Sequence, residues 1–224
     1  MSTHAHTAGL NHQFDDLHQQ YEASNMGMWA FIAQEIMFFG GLFGAYTVYR
    51  YEYLSAYIAG SNLLSLGWGA FNTGVLIASS FTMAMCVRAS QVGSRTGMLR
   101  WILATMVLGV TFLGVKVIEY TDKFHHHLIP GLNFEWLDPA ANAGHVKIFF
   151  SFYFAMTGMH ALHMIIGIGL MLWLIPNIIK GKYTKDYFFP IENFGLYWHF
   201  VDIVWIFLFP LLYLIGRKPW IHII

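Results

Sequence analysis

Long runs of apolar residues alternate with shorter polar segments along this chain of 224 residues. The apolar runs cover approximately residues 26–49, 68–87, 98–120, 148–179 and 194–215. A helix needs about 20 mainly apolar residues to cross the hydrocarbon core of a membrane, and each run is long enough. The pattern therefore predicts an all-α fold, an integral membrane bundle of five transmembrane helices within residues 26–215. Residues 1–25 and 216–224 are expected to lie outside the membrane.

The cations between the apolar runs predict the orientation of the bundle, because cytoplasmic segments carry an excess of Lys and Arg. Such residues cluster in or at the edge of the connections between the second and third runs and between the fourth and fifth: Arg88, Arg95, Arg100, Lys180, Lys182 and Lys185. Both connections are therefore expected in the cytoplasm. The N-terminus is then cytoplasmic and the C-terminus periplasmic, although Arg217 and Lys218 depart from the rule at the outer end.

The fourth run is long enough to overshoot a hydrocarbon core of about 30 Å, so we expect that helix to be tilted or to project into water. Pro176 is expected to mark the point where it begins to break. Glycine spacing predicts where helices approach each other closely: Gly40 with Gly44 in the first helix, and Gly167 with Gly169 in the fourth.

Composition supports a membrane protein and narrows its chemistry. Only 11% of the residues are charged, against roughly 25% in soluble domains. Lys and Arg equal Asp and Glu in number, at 12 each, so the chain has no basic field with which to bind nucleic acid. Cys86 is the single cysteine, which excludes an internal disulfide and a two-cysteine copper centre in this chain.

Ionisable residues inside the predicted helices are candidates for function, because each is costly in a bilayer unless it is paired, neutral or facing a polar cavity. Glu35 lies near the middle of the first helix among apolar neighbours. Such a carboxyl is expected to be protonated or hydrogen-bonded. Two interpretations stay open: a neutral acid that donates to another helix, and a group linked to proton movement.

Histidines in the last two helices suggest either a metal site or hydrogen bonds between helices. His160 and His163 are three residues apart and share one helix face. They cannot supply both axial ligands of one haem, which lie on opposite sides of the iron, so a haem site needs a further ligand such as His199. We favour hydrogen bonding between helices, the common use of polar residues in membrane bundles.

Two further pairs of polar residues are predicted from helical spacing. Lys116 and Glu119 are three apart and opposite in charge, which predicts a mutual ion pair near the outer surface. His199 and Asp202 lie one turn apart on one face of the last helix. Pairing them on a face turned towards a partner costs less than burying either group alone.

Four of the runs contain segments that, together and in this order, resemble subunit III of the haem-copper terminal oxidases. In the first, an apolar helix carries one Glu before an aromatic pair, and the last two are the most specific. The four segments are Gly27–Phe39, Asn72–Ser80, Thr157–Gly167 and Tyr197–Trp205. The resemblance covers essentially residues 26–215 and is to the short bacterial form, which lacks the two extra N-terminal helices of mitochondrial subunits.

The resemblance implies an accessory subunit of an aerobic respiratory complex in the bacterial cytoplasmic (inner) membrane. Such a chain has no catalytic centre and binds no haem or copper. The haem and copper belong to partner subunits, with subunit I as the direct contact and subunit II also present. The complex reduces oxygen to water and pumps protons, and subunit III supports proton uptake and holds structural phospholipid.

Alternatives remain from the residues alone. The chain could accompany a quinol oxidase or a nitric oxide reductase instead of a cytochrome c oxidase, although cytochrome c is the electron donor that we expect. It could also be a b-type membrane cytochrome that uses His160, His163 and His199, or a proton or ion carrier built around Glu35.

Two groups near the predicted cytoplasmic side have expected roles. Lys180, Lys182 and Arg88 lie at helix ends, where they can contact anionic lipid headgroups. The N-terminal segment contains His4, His6, His12 and His18 together with acidic residues. Because histidine changes charge near neutral pH, this segment is either a proton-collecting antenna or a passive tail.

Overall fold

The described part of the chain, residues 10–131, 134–136 and 141–216 of the computed structural model, forms six α-helices. They are α1 (Leu17–Glu52), α2 (Leu54–Asn62), α3 (Leu66–Val92), α4 (Arg95–His125), α5 (Ala143–Ile179) and α6 (Phe189–Tyr213). All except α2 are long and apolar enough to cross a membrane. The predicted all-α fold with five candidate spans is therefore confirmed.

Helix α1 begins nine residues before the predicted apolar run, at Leu17 instead of Met26. The side chain of Asp16 accepts a hydrogen bond of 2.7 Å from the backbone N–H of Gln19 and so caps the helix. Capping needs no apolar residues, which is why the hydropathy pattern misplaced this boundary. Part of the segment predicted to lie before the first helix, including His18, is thus the first turn of α1.

Helix α2 was not predicted, because its nine residues are too few to cross a membrane. Its buried face packs on the N-terminal half of α5. The ring of Tyr57 lies 5.3 Å from the ring of Phe149, and Gly60 is so close to Phe149 that an added Cβ would lie 2.3 Å from its ring.

Helix α5 contains 37 residues, or about 55 Å at 1.5 Å per residue, so the expected excess length is present. The prediction that the helix breaks at Pro176 is wrong. The carbonyl of Pro176 still accepts a bond of 3.0 Å from Lys180, and α5 continues to Ile179. The turn comes later, at Gly181, whose φ of 70° is favourable only for glycine.

Helix α6 is the centre of the bundle. Residues that are buried make up 56% of its most apolar window, against 17% for α1 and 33% for α3, α4 and α5. It packs against α1, α3 and α5, and its side chains also reach α4. Helix α1 is correspondingly the least enclosed of the long helices.

Successive spans cross the bundle in opposite directions, so the start of α1, the α3–α4 connection and the α5–α6 connection should lie at one end. Contacts between these segments agree with this. The side chain of Lys185, after α5, lies against Gly93, which connects α3 to α4. Asn193, in the first turns of α6, donates a hydrogen bond of 2.6 Å to Ser24 in α1. The start of α1 therefore lies at the same end of the bundle as the two connections rich in cations.

The glycine predictions are confirmed at one position and wrong at three. A Cβ added to Gly167 would lie 2.7 Å from the Trp198 ring, so α5 and α6 do approach closely there. A Cβ added to Gly40, Gly44 or Gly169 would meet nothing within 4 Å. Those three glycines lie on outward faces, a property that spacing alone does not reveal.

Candidate functional site

The four segments singled out in the sequence meet in space, and the segment on α6 contacts the other three. Trp198 donates from Nε1 to Oγ of Ser79 on α3 over 3.1 Å. About two turns further along α6, Trp205 Nε1 donates to Oγ1 of Thr73 over 3.1 Å. On the opposite side, the segment reaches α5 and α1. This junction of segments is the candidate functional site.

Trp198 is the central side chain of the junction. It is fully buried, and it lies against two glycines on different helices. Added Cβ atoms would lie 3.0 Å from its ring at Gly109 on α4 and 2.7 Å from it at Gly167 on α5. With the hydrogen bond to Ser79, one indole therefore joins α3, α4, α5 and α6.

Glu35 of α1 and His163 of α5 face each other. His163 Nε2 lies 3.2 Å from Oε2 of Glu35, within ion-pair distance but without an aligned hydrogen bond. The other ring nitrogen, Nδ1, is 2.8 Å from the carbonyl oxygen of Met159. Because a carbonyl only accepts, Nδ1 carries a hydrogen, and Nε2 is the nitrogen that can receive a proton from the carboxyl.

The Glu35–His163 contact is enclosed by aromatic rings from α1 and α6. The Phe39 ring centre lies 5.4 Å from that of His163, and Tyr197 donates from its hydroxyl to the carbonyl of His163 over 2.8 Å. An apolar groove of about 490 Å³ lies beside it between α1 and α6. Glu35 therefore contacts another helix as expected, but its Oε2 makes no aligned hydrogen bond there.

His160 does not make the predicted hydrogen bond to another helix. Neither of its ring nitrogens has a hydrogen-bond partner within the described residues. Its ring instead packs between Phe112 and Trp205, at 5.3 Å from the centre of each ring. The sequence gives no signal for this arrangement, because the aromatic neighbours come from two distant helices.

The three histidines proposed as haem ligands do not converge. His160 packs against α4 and α6, His163 faces α1, and His199 Nδ1 lies 2.7 Å from Oγ of Ser80 on α3. In the part of the chain that the structure describes, no group of three or more His, Cys, Asp and Glu side chains could hold a metal ion. The arrangement gives no support to the cytochrome alternative.

Lys116 and Glu119 form the predicted ion pair, with 2.9 Å between Nζ and Oε2. The pair is deeper than expected, because the two side chains are only 4% and 2% exposed. Tyr213 of α6 completes it. Its hydroxyl accepts from Lys116 Nζ over 2.8 Å and donates to Glu119 Oε1 over 2.5 Å. Sequence reasoning missed Tyr213, which is far away along the chain.

His199 and Asp202 do not form the predicted pair. His199 is bonded to Ser80, and neither carboxyl oxygen of Asp202 has a hydrogen-bond partner among the described residues. Asp202 is nevertheless buried. Both side chains line one depression between α3 and α6, so the sequence correctly put them on one face but not in contact.

The remaining candidates lie on the surface. Lys180, Lys182 and Arg88 are exposed, at the end of the bundle that contains the start of α1. His12 and His18 are also exposed, and His18 Nδ1 lies 3.6 Å from Oε1 of Glu22. His4 and His6 lie outside the described residues.

The sequence of this chain is similar to those of known oxidase subunits. A family model described as cytochrome c oxidase subunit III matches residues 133–217. The chain is 32% identical over 204 residues to a cytochrome c oxidase subunit 3 of Thermostichus vulcanus, an alignment that covers 91% of this chain and 92% of that protein.

Relatives from quinol oxidases are similar to the same extent. The subunit 3 of a cytochrome bo(3) ubiquinol oxidase of Pseudomonas aeruginosa is 29% identical over 212 residues, with 95% of this chain and 93% of that protein covered. A quinol oxidase subunit 3 of Bacillus subtilis is 29% identical over 191 residues, covering 85% and 86%. The similarity therefore extends over nearly the whole chain.

Proposed function

Because this chain belongs to the subunit III family of the haem-copper oxidases, we propose that it packs directly against the catalytic subunit I of its complex. As a subunit III it is an accessory part of a respiratory oxidoreductase, without a catalytic centre of its own. In our proposal the complex, which also contains subunit II, sits in the bacterial inner membrane. It reduces oxygen to water with haem and copper held by the partners, and it pumps protons.

The observation that carries this proposal is the way the buried polar groups are used. Lys116, Glu119 and Tyr213 satisfy one another within the chain. The indoles of Trp198 and Trp205 bind hydroxyls on α3. These groups join helices to one another, which supports a stabilising role beside subunit I.

We also propose a proton-linked role for the Glu35–His163 pair in sustaining proton uptake by the complex. The support is chemical: one proton can be exchanged between the carboxyl and Nε2 of the imidazole across 3.2 Å. Because the pair holds no redox centre, its loss should affect the supply of protons and not the oxygen chemistry itself.

Structural phospholipid is a further part of the proposal. An apolar groove of about 350 Å³ runs between α1, α5 and α6, and its lining includes Trp173, Leu174 and Pro190. The exposed Lys180 and Lys182 follow the end of α5 beside it. An acyl chain in the groove would place an anionic headgroup near these ammonium groups, an attraction worth about 1 kcal/mol for each cation.

The proposed orientation keeps the N-terminus in the cytoplasm, supported by the excess of Lys and Arg at that end of the bundle. For the electron donor we propose cytochrome c. The relatives include both cytochrome c and quinol oxidases, so the metal content of the complex is the decisive measurement. A dinuclear copper centre in the purified complex supports cytochrome c, and its absence supports a quinol.

Purification through a tag on this chain tests the main proposal. We expect a haem-bearing subunit to co-purify, and we expect the chain to contain no iron once it is separated from that subunit. The Glu35→Gln variant should keep the haem spectrum and the initial rate of oxygen consumption. Iron that stays with the separated chain, or complete loss of haem from an assembled Glu35→Gln complex, would contradict the proposal.

A further inference from the structure

We infer that the face of α3 and α6 around Asp202 receives a hydrogen-bonding side chain from a transmembrane helix of the catalytic subunit. The inference rests on the proposed function and adds to it the surface and the chemistry of the contact. We call this surface the Asp202 face, and it consists of Ser80, His199 and Asp202 with the apolar residues around them.

Asp202 needs a partner that the described chain does not supply. It is only 3% exposed, yet neither of its carboxyl oxygens is hydrogen-bonded within the described residues. The hydroxyls of Ser79 and Ser80 lie beside the carboxyl, but neither is placed for a well-aligned hydrogen bond to it, and each makes another contact. Ser79 donates to the carbonyl of Leu76 over 3.0 Å, and Ser80 is bonded to His199 over 2.7 Å.

Asp202 nevertheless lies in the wall of a depression that opens to the outside of the bundle. A depression of about 320 Å³ opens between α3 and α6, and Asp202, His199 and Ser80 are its polar lining. The rest of the lining is apolar and includes the exposed side chains of Phe81 and Ile206. A partner that fits this depression is therefore mostly apolar and carries one polar group, as a transmembrane helix does.

Depth in the membrane decides between a protein and a lipid as the partner. Ser80 lies near the middle of α3 (Leu66–Val92), and Asp202 lies near the middle of α6 (Phe189–Tyr213). Lipid headgroups stay near the ends of such helices, and acyl chains offer no hydrogen bond. At this depth a polar side chain on another helix can satisfy the carboxyl, whereas a lipid cannot.

We assign the partner helix to the catalytic subunit, because the proposed function makes that subunit the direct contact of this chain. Helix α6 is the central helix of this chain, and the Asp202 face is where α6 reaches the outside between α3 and α1. Helix α5 has no contact with α3 in the described residues, so its outward face lies on another side of the bundle. That face, around Leu162, Ile165 and Ile166, is exposed and apolar, which suits lipid.

Photo-cross-linking in the intact complex tests the location. The amino acid p-benzoylphenylalanine replaces Phe81 on the Asp202 face or, as the matched control, Ile165 on α5. These residues are similarly exposed, at 61% and 56%. We expect irradiation to join the catalytic subunit to position 81 and not to position 165. Cross-links from position 81 only to lipid, to a second copy of this chain or to another subunit would overturn the inference.

Substitution of Asp202 tests the hydrogen bond. Asp202→Leu removes it, whereas Asp202→Asn keeps a polar group of the same shape. In complexes washed with increasing detergent, we expect Asp202→Leu to lose this chain about three-fold more readily than the unmodified complex, the usual value of one hydrogen bond between membrane helices. Asp202→Asn should retain most of the chain. Equal retention of all three would contradict the inference.

The two proposals fail in different ways. If no haem-bearing subunit purifies with the unmodified chain, the proposed function is wrong. If that subunit purifies normally but position 81 does not reach it, only the assignment of the Asp202 face is wrong. Should Asp202→Leu fail to accumulate in the membrane, the cross-linking result, which leaves Asp202 intact, still decides.

Discussion

Lys116 shows how a single charged side chain is accommodated inside this bundle. Its ammonium group is bonded to Glu119 and Tyr213, and it also lies 4.6 Å from the centre of the Trp205 ring. The rings of Tyr120 and Tyr153 lie at 5.9 and 5.4 Å. Aromatic faces attract cations most strongly where water is excluded, so ring contacts and the ion pair act together.

Removing only one member of this pair should be strongly destabilising. Lys116→Met leaves Glu119 buried without its counter-charge, a change that costs about 3 kcal/mol or more. The thiol of Cys86, which is fully buried, reports opening of the fold through its reaction with a thiol reagent. We expect the labelling rate to rise about 100-fold.

The matched variants separate the charge effect from other damage. The double variant Lys116→Met with Glu119→Leu removes both charges and should restore most of the protection of Cys86. Thr111→Val on the same helix, at an exposed position bonded to its own backbone, should change little. Protection that is lost equally in the single and double variants would contradict this account.

Contacts between residues were predictable only where they are local. The spacing of Lys116 and Glu119 within one helix was sufficient to predict their pairing. The contact between Glu35 and His163 joins two helices far apart in the chain, and helical periodicity contains no information about which helices are neighbours. The same reason explains why the bond from His199 to Ser80 replaced the expected pairing with Asp202.

At the scale of helices, α5 and α6 fit together because glycine leaves room for an indole. Gly167 faces Trp198 directly, whereas Gly169, only two residues further along α5, faces open space. The two glycines therefore form a natural comparison of a packed and an unpacked position on one helix.

Gly167→Ala should destabilise the bundle, because its methyl group would displace Trp198 and weaken the bond from Trp198 to Ser79. Overpacking of this kind costs about 1–3 kcal/mol. Gly169→Ala should be neutral or slightly stabilising, since alanine is a better helix former than glycine. The rate at which a thiol reagent labels Cys86, measured at increasing temperature, reports both effects. Equal temperature dependence in the two variants would refute the packing argument.

Helix existence was predictable from hydropathy, but helix ends were not. The five apolar runs each contain a long helix, because membrane spans must be both long and apolar. The additional turns of α1 depend on Asp16, whose capping bond is a local polar feature. Helix α2 depends on its contact with Phe149, which only the tertiary structure creates.

The whole molecule concentrates exposed cations at one end, which bears on lipid retention. Lys180→Gln together with Lys182→Gln should lower the number of phospholipids that stay with the purified complex and shorten its working lifetime, because each cation near a headgroup contributes about 1 kcal/mol. Native mass spectrometry counts the lipids.

Lys147→Gln, an exposed position in the first turns of α5 at the opposite end, is the control and should leave the count unchanged. An unchanged count in the double variant would reject the assignment.

Two of the four N-terminal histidines, His12 and His18, lie at this same end of the molecule. Replacing His4, His6, His12 and His18 with Gln should, if they collect protons, slow proton uptake and turnover more at pH 8 than at pH 6. A collector matters most when free protons are scarce, and histidine exchanges protons in this range. Replacing His125, His126 and His127 at the other end is the control. An equal effect at both pH values would leave the segment as a passive tail.

The central position of Trp198 has a consequence for the order in which the bundle is made. Helix α6 is the last of the long helices to leave the ribosome, yet its indole is the side chain on which α3, α4 and α5 meet. Those earlier helices can enter the bilayer as separate spans, but their shared contact does not exist until α6 arrives. Synthesis of the last helix is therefore the step that closes the bundle, and a ribosome that stalls before Trp198 leaves inserted helices without a common centre.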